Sequence, residues 1–141
     1  MEIVISEIRT LGDIHKDFSK AFPYLKLEFF DMPYDTTHPA PKSKMFPHDR
    51  KLSTIRKKHT EGSIEIMKNM TVAEFEIALW NEYGLSVQVF RKSGNLWIET
   101  SLTDSWTLDR QNKEGYEMSR PHKNPYEEAN ENDFTDRDKW D

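Results

Sequence analysis

The chain has 141 residues, of which 35% are hydrophobic, and a formal net charge of −5 at pH 7. A chain of this length forms one domain with a real core. It contains no cysteine, which excludes disulfides and thiolate chemistry and leaves only His and carboxylate ligands for a zinc ion. The longest apolar run is far shorter than a membrane span, and the start of the chain shows no secretion-signal pattern. We therefore expect a cytoplasmic protein without a membrane partner.

One order of elements occurs twice, in residues 1–30 and 62–90: apolar strand, capped amphipathic helix, turn, alternating strand. Thr10 and Thr71 are the predicted helix caps, each with an acid three residues later that completes a capping box. Apolar residues at helical spacing mark one face of each helix. They are Leu11, Ile14, Phe18 and Phe22 in the first helix, and Val72, Phe75, Leu79 and Tyr83 in the second. An internal repeat and two independent β-α-β units account for this pattern equally well.

Two consecutive β-α-β units predict an α+β fold. The simplest arrangement is a ferredoxin-like split βαβ-βαβ, with two helices on one face of an antiparallel sheet. Ser93, Gly94 and Asn95 form a turn signal between strand-like runs, which adds a C-terminal hairpin strand. A short polar helix is predicted after it, over residues 107–118.

The alternative fold is a β-grasp core within residues 52–100. In that fold, residues 52–59 and 63–67 would form a hairpin before the second helix. The split fold is preferred because it also accounts for residues 1–30, which the β-grasp would leave as an appendage.

One folded domain is expected over residues 1–118, with a Pro-rich basic loop at about residues 31–62. The loop is basic because residues 36–62 contain seven basic and two acidic residues. Residues 119–141 are acidic, polar and poor in apolar side chains, which predicts a flexible tail. Its spaced aromatic residues are typical of a short binding motif, and they are Tyr126, Phe134 and Trp140.

No residue pattern predicts a catalytic, cofactor-binding or metal site. The sequence has no phosphate loop, nucleophile elbow or dinucleotide fingerprint. His38, His48 and His59 lie in or beside the basic loop, but their spacing matches no zinc motif and the neighbouring cations would repel a dication. His15 is expected to be exposed on the polar face of the first helix, without an acid to orient it as a base. We therefore predict no cofactor and favour a protein that is not an enzyme.

The leading functional hypothesis is an accessory module that binds a protein partner or forms a homo-oligomer. Phe30 and Phe90 occupy equivalent places in the two stretches, on the strand face away from the main apolar face. A mixed sheet face without a covering helix tends to pair with a second copy or a partner. The predicted interaction surface and its border consist of Phe30, Phe90, Arg91, Trp97 and Trp106.

Two alternative functions stay open. The first is nucleic-acid binding through the basic segment 42–59, whose cations would contact phosphates near stacking aromatic rings. The predicted contacts are Lys51, Arg56, Lys57 and Lys58. The second is a small-molecule enzyme or sensor with its site between the sheet and the Pro-rich loop.

Two segments of the chain resemble small bacterial proteins of no assigned activity. They are Gly-Leu-Ser-Val-Gln-Val-Phe-Arg-Lys-Ser-Gly-Asn-Leu-Trp-Ile-Glu-Thr at 84–100 and Thr-Asp-Ser-Trp-Thr-Leu at 103–108. With the capped helix before them, the resemblance covers roughly residues 62–112. It implies a widespread stand-alone or fused module of bacterial cytoplasmic origin, and it supplies no catalytic residue.

Overall fold

The computed structural model describes residues 1–121 and has a mixed α+β fold. The strands are β1 (Glu2–Ile5), β2 (Leu25–Phe29), β3 (Gly62–Glu65), β4 (Val87–Ser93) and β5 (Leu96–Glu99). The helices are α1 (Leu11–Ala21), α2 (Val72–Tyr83) and α3 (Leu108–Ser119). Most of the predicted tail, including Tyr126, Phe134 and Trp140, lies outside the described residues.

Both predicted capping boxes are present at the starts of α1 and α2. The Thr10 hydroxyl accepts from the Asp13 amide at 3.1 Å, and the Asp13 carboxylate accepts from the Thr10 amide at 3.0 Å. The same reciprocal bonds join Thr71 and Glu74, both at 3.1 Å. α2 ends at Gly84, whose φ of +63° lies in the left-handed region that glycine adopts without strain. Local chemistry thus sets the ends of these helices.

The strands of the described residues form two antiparallel sheets. β1 pairs with β3, and the second sheet has the order β2-β4-β5. The α+β class is therefore confirmed, but the single sheet of the ferredoxin-like prediction is not formed. The β-grasp alternative is also wrong, because residues Leu52–Thr54 form a 3₁₀ turn and β3 pairs with β1 instead of with them. Alternation along a strand defines its buried face but not its neighbour, so the sequence left these pairings open.

The strand registers bring equivalent positions of the two predicted β-α-β units together. Ile3 lies opposite Ile64 in the first sheet, and Glu28 lies opposite Gln88 in the second. Both pairs belong to antiparallel pairings of equivalent strands, β1 with β3 and β2 with β4. Equivalent strands therefore pair with each other in both sheets.

The two halves also make matching backbone bonds over the starts of their helices. The Leu11 amide donates to the Arg50 carbonyl at 2.9 Å, and the Val72 amide donates to the Trp106 carbonyl at 3.1 Å. The segment before the Leu52 turn therefore bonds to the start of α1 in the same way as the segment before α3 bonds to the start of α2. These bonds belong to the fold, whereas common descent of the halves stays a prediction.

The core lies between the sheets and the helices. The Phe18 ring of α1 and the Phe75 ring of α2 stack with centroids 5.1 Å apart. α3 comes close to the start of β2, since a Cβ atom added at Gly115 would lie 2.8 Å from the Tyr24 Cβ. The largest fully buried side chains are Ile3, Ile5, Leu11, Ile14, Phe18, Leu25, Leu27, Phe29, Leu52, Phe75, Leu79 and Leu85. Within residues 1–121, every helix is too short or too polar to cross a bilayer.

Candidate interaction surface

β5 forms an outer strand of the three-stranded sheet. It is joined to β4 by the two-residue turn Gly94-Asn95, with Ser93 paired to Leu96. Gly94 has φ +62°, a value that suits the first central position of a type II′ hairpin turn. The turn predicted from Ser93, Gly94 and Asn95 is therefore present, and it sets the register of β5.

Exposed apolar side chains concentrate on β5 and the 3₁₀ turn after it, Ser101–Thr103. Leu96 is 70% exposed and Leu102 is 96% exposed, whereas Trp97 and Ile98 are 37% and 36% exposed. We call Leu96, Trp97, Ile98 and Leu102 the β5 surface. Exposed apolar residues grouped on one strand and the turn after it mark interaction sites more often than scattered ones do.

Trp97 and Phe90, two of the predicted surface residues, lie together on the sheet face opposite the helices. The Lys26 ammonium group lies 5.5 Å from the Phe90 ring centroid and 5.4 Å from that of Trp97. Cation–π attraction of this kind holds both rings in place. Trp97 therefore belongs both to this aromatic face and to the β5 surface.

Phe30, Arg91 and Trp106 do not belong to this face. Phe30 is buried, because the Pro-rich loop returns over it and Phe30 forms a bridge with Met45; the expectation that it is a surface residue is corrected. The Arg91 guanidinium donates to the Gln111 side-chain carbonyl at 2.9 Å and lies 5.6 Å from the Trp106 ring. These two residues therefore help to hold α3 against the sheet.

The four predicted nucleic-acid contacts differ in burial. The Arg56 side chain is 1% exposed and pairs with Glu7, and its Nη1 donates to the Tyr83 carbonyl at 2.8 Å. Arg56 is thus an internal residue that binds the carboxyl end of α2, which corrects its expected role as a phosphate contact. Lys51, Lys57 and Lys58 are exposed, and the Lys58 ammonium donates to the Asn81 carbonyl at 2.9 Å.

A small polar cavity lies beside β5, between the sheet and the Pro-rich loop. Glu76 of α2 is buried there, and its carboxylate accepts from the Tyr34 hydroxyl at 2.7 Å and from the Val89 amide at 2.9 Å. Burial raises the pKa of Glu76 to about 7; the two hydrogen bonds oppose that change, and the nearby Asp104 and Glu99 carboxylates add to it. The cavity measures about 10 Å³, which is room for about one water molecule.

His15 takes the position on α1 that Glu76 takes on α2. Its Nδ1 accepts from the Leu27 amide at 3.2 Å, so the lone pair is already used at the edge of β2. Burial, helped by His48 and Lys26, lowers the pKa of His15 to about 4. The expectation of an exposed His15 is corrected: it is a half-buried, neutral residue that closes a strand edge.

Within the described residues, no group of three or more His, Asp and Glu side chains is arranged to hold a metal ion. Comparison of the chain with protein-family models, with curated proteins and with solved structures finds no match.

Proposed function

We propose that this protein is a non-enzymatic binding module that acts through protein–protein contacts made by the β5 surface. The observation that carries the proposal is the exposure of Leu96 and Leu102, at 70% and 96%, beside Trp97 and Ile98. An outer strand with exposed apolar side chains is a ready template for another chain. A cytoplasmic location and an origin of the two halves by duplication belong to the same proposal.

Burial of the two leucines supplies enough free energy to matter for binding. Full burial of a leucine side chain stabilises by about 2 kcal/mol, and each such contribution tightens a dissociation constant by roughly 30-fold. Trp97 adds a large, stiff side chain of the type that dominates interface energies. Three anchors on one strand and one turn are a reasonable centre for a contact site.

The fold holds these anchors in a defined place. The Thr100 hydroxyl donates to the Val89 carbonyl at 2.8 Å, and the Ser101 amide donates to the Glu99 carboxylate at 2.8 Å. These bonds fix the path of the chain between β5 and Leu102. A contact site on fixed elements loses less conformational entropy on binding than one on a loose loop.

The two alternative functions have less support from the described residues. Nucleic-acid binding loses Arg56 as a phosphate contact, since its buried guanidinium binds the Tyr83 carbonyl and pairs with Glu7. A small-molecule site between the sheet and the Pro-rich loop would have to open a cavity that now holds about 10 Å³. Both alternatives stay predictions.

The test is capture of partners by the purified full-length chain as bait. A variant carrying Leu96→Lys and Leu102→Lys is compared with the wild type and with Ile8→Lys, a control at an 80% exposed apolar residue outside the β5 surface. We expect the amount of each retained protein, this chain itself included, to be at least tenfold lower for the double variant than for the wild type and the control. Equal retention by all three baits would refute the proposal, and circular dichroism melting confirms that each bait is folded.

A further inference from the structure

We infer that the partner at the β5 surface is a second copy of this chain, joined β5 to β5 in an antiparallel pairing centred on Trp97. This inference depends on the proposed function, because it names the occupant of the same surface. The backbone edge and the side chains of β5 both match those of a second copy related by a two-fold axis.

The backbone of β5 has hydrogen-bonding groups directed at its outer edge. In a two-residue hairpin the closing residues exchange both bonds, so Leu96 and Ile98 turn their backbone groups towards β4. Trp97 and Glu99 alternate with them and direct their N–H and C=O groups outward. Among the described residues no strand lies beyond β5. Two copies of this edge can therefore satisfy each other's backbone groups.

The side chains select one register. With Trp97 opposite Trp97 of the second copy, Leu96 lies opposite Ile98 on the other face, and Asn95 lies opposite Glu99. Each apolar residue of the strand then has an apolar partner, and no like charges meet. Cross-strand pairs of this type contribute roughly 0.2–1 kcal/mol each, and the pairing makes three of them.

Neighbouring registers lose this match. Moving the two-fold centre by one residue, to Ile98 or to Leu96, puts Trp97 opposite Glu99 or Asn95 of the second copy. Moving the centre by two residues puts Glu99 opposite Glu99, or leaves the apolar residues against the turn. Apolar and charge matching therefore favour the register centred on Trp97.

The pairing also agrees with the rest of the molecule. A two-fold axis perpendicular to the sheet keeps the helices of both copies on one side, so the three-stranded sheets become one continuous sheet. The chain already pairs its own equivalent strands in this manner, β1 with β3 and β2 with β4, both antiparallel.

The test uses the absence of cysteine from the sequence. Two single variants, Asn95→Cys and Glu99→Cys, are made in the full-length chain and oxidised with diamide, separately and as a mixture. In the inferred register residue 95 of one copy faces residue 99 of the other within disulfide reach. Residues 95 and 95, or 99 and 99, are about 14 Å apart, at about 3.4 Å per residue. We expect crosslinked dimer in the mixture at least tenfold above either variant alone.

Sedimentation of the wild type supplies the second measurement. We expect a species of twice the 16.8 kDa chain mass, and we expect Leu96→Lys with Leu102→Lys to remove it while Ile8→Lys keeps it. A wild type that stays monomeric at every concentration, or equal crosslinking of mixed and separate variants, overturns the inference. If the wild type is a monomer but a different protein is captured through the β5 surface, the proposed function stands and only this inference fails. If nothing is captured through that surface, both fail.

Discussion

The buried carboxyl group of Glu76 leads to a specific prediction about stability and pH. The ordinary pKa of a glutamate is 4.5, and burial raises that of Glu76 to about 7. The folded protein therefore binds this proton more tightly than the unfolded chain does. Its contribution to stability is complete below pH 4.5 and is lost as the pH rises through 7. Replacement of Glu76 by glutamine removes this dependence.

The expected magnitude follows from the interval between the two pKa values. Each pH unit of difference corresponds to about 1.4 kcal/mol, so the contribution is about 3 kcal/mol between pH 5 and pH 8. Glutamine has nearly the same shape but accepts only one of the two bonds from Tyr34 and Val89. That loss is largely independent of pH, so the slopes of the two proteins, and not their absolute stabilities, carry the information.

The assay is urea unfolding of the full-length chain at pH 5, 6, 7 and 8. His15 acts in the opposite sense, because its lowered pKa makes stability fall at acidic pH, but it is common to wild type and variant. We expect the free energy of unfolding of the wild type to fall by about 3 kcal/mol more than that of Glu76→Gln over this range. Glu82→Gln, an exposed site on the same helix, is the matched control and should follow the wild type. Parallel pH profiles for the wild type and Glu76→Gln would show that the folded protein does not hold this proton.

Two further predictions concern packing and the buried cation. Gly115→Ala places a Cβ atom 2.8 Å from the Tyr24 Cβ and 3.0 Å from the Tyr24 carbonyl oxygen, and such overpacking costs about 1–3 kcal/mol. Thermal melting should show a lower melting temperature for this variant. The control Met118→Ala, at a 52% exposed site on α3, should keep the melting temperature of the wild type. Equal melting temperatures would show that α3 moves away without cost. Arg56→Ala leaves the Glu7 carboxylate and the Tyr83 carbonyl without this buried partner. It should lower the free energy of unfolding in urea by about 3 kcal/mol. The control Lys57→Ala, at an exposed position, should lower it by less than about 0.5 kcal/mol. A larger loss of oligonucleotide binding than of stability in Arg56→Ala would instead support the nucleic-acid alternative.

The local features of the fold could be predicted from the sequence. Helical spacing and the Thr10 and Thr71 caps depend on residues within a few positions of each other, and both helices begin where those caps place them. The hairpin turn at Gly94 is local in the same sense. Each of these features is decided by short-range sterics and hydrogen bonds that neighbouring residues supply.

The interaction surface could be predicted only in part. The sequence pattern identifies Trp97, but it does not identify Leu96, Ile98 or Leu102 as exposed. Three consecutive apolar residues in one strand are typical of burial on both faces, whereas the folded chain exposes side chains on both faces of β5. The sequence feature that indicates this surface is a short apolar strand followed by a turn. No later element of the described chain covers that strand.

Phe30 and Phe90 have different surroundings although they occupy equivalent positions in the sequence pattern. They have the same place in the two β-α-β units, yet Phe30 is covered by the returning Pro-rich loop and Phe90 lies beside Lys26 and Trp97. Their surroundings come from segments that differ between the halves. Equivalent positions in a pattern therefore need not have equivalent exposure.

The sequence by itself determined the α+β class, the helices with their caps, and the hairpin, because each depends on contacts between residues close along the chain. Only the tertiary structure decided which strands pair, that Arg56 and Phe30 are internal, and that Glu76 meets Tyr34 from a loop 42 residues away. These outcomes depend on desolvation and on hydrogen bonds between distant segments, and both arise only once the chain has folded. The β5 surface belongs to that second group, since exposure is defined by what the rest of the protein leaves uncovered.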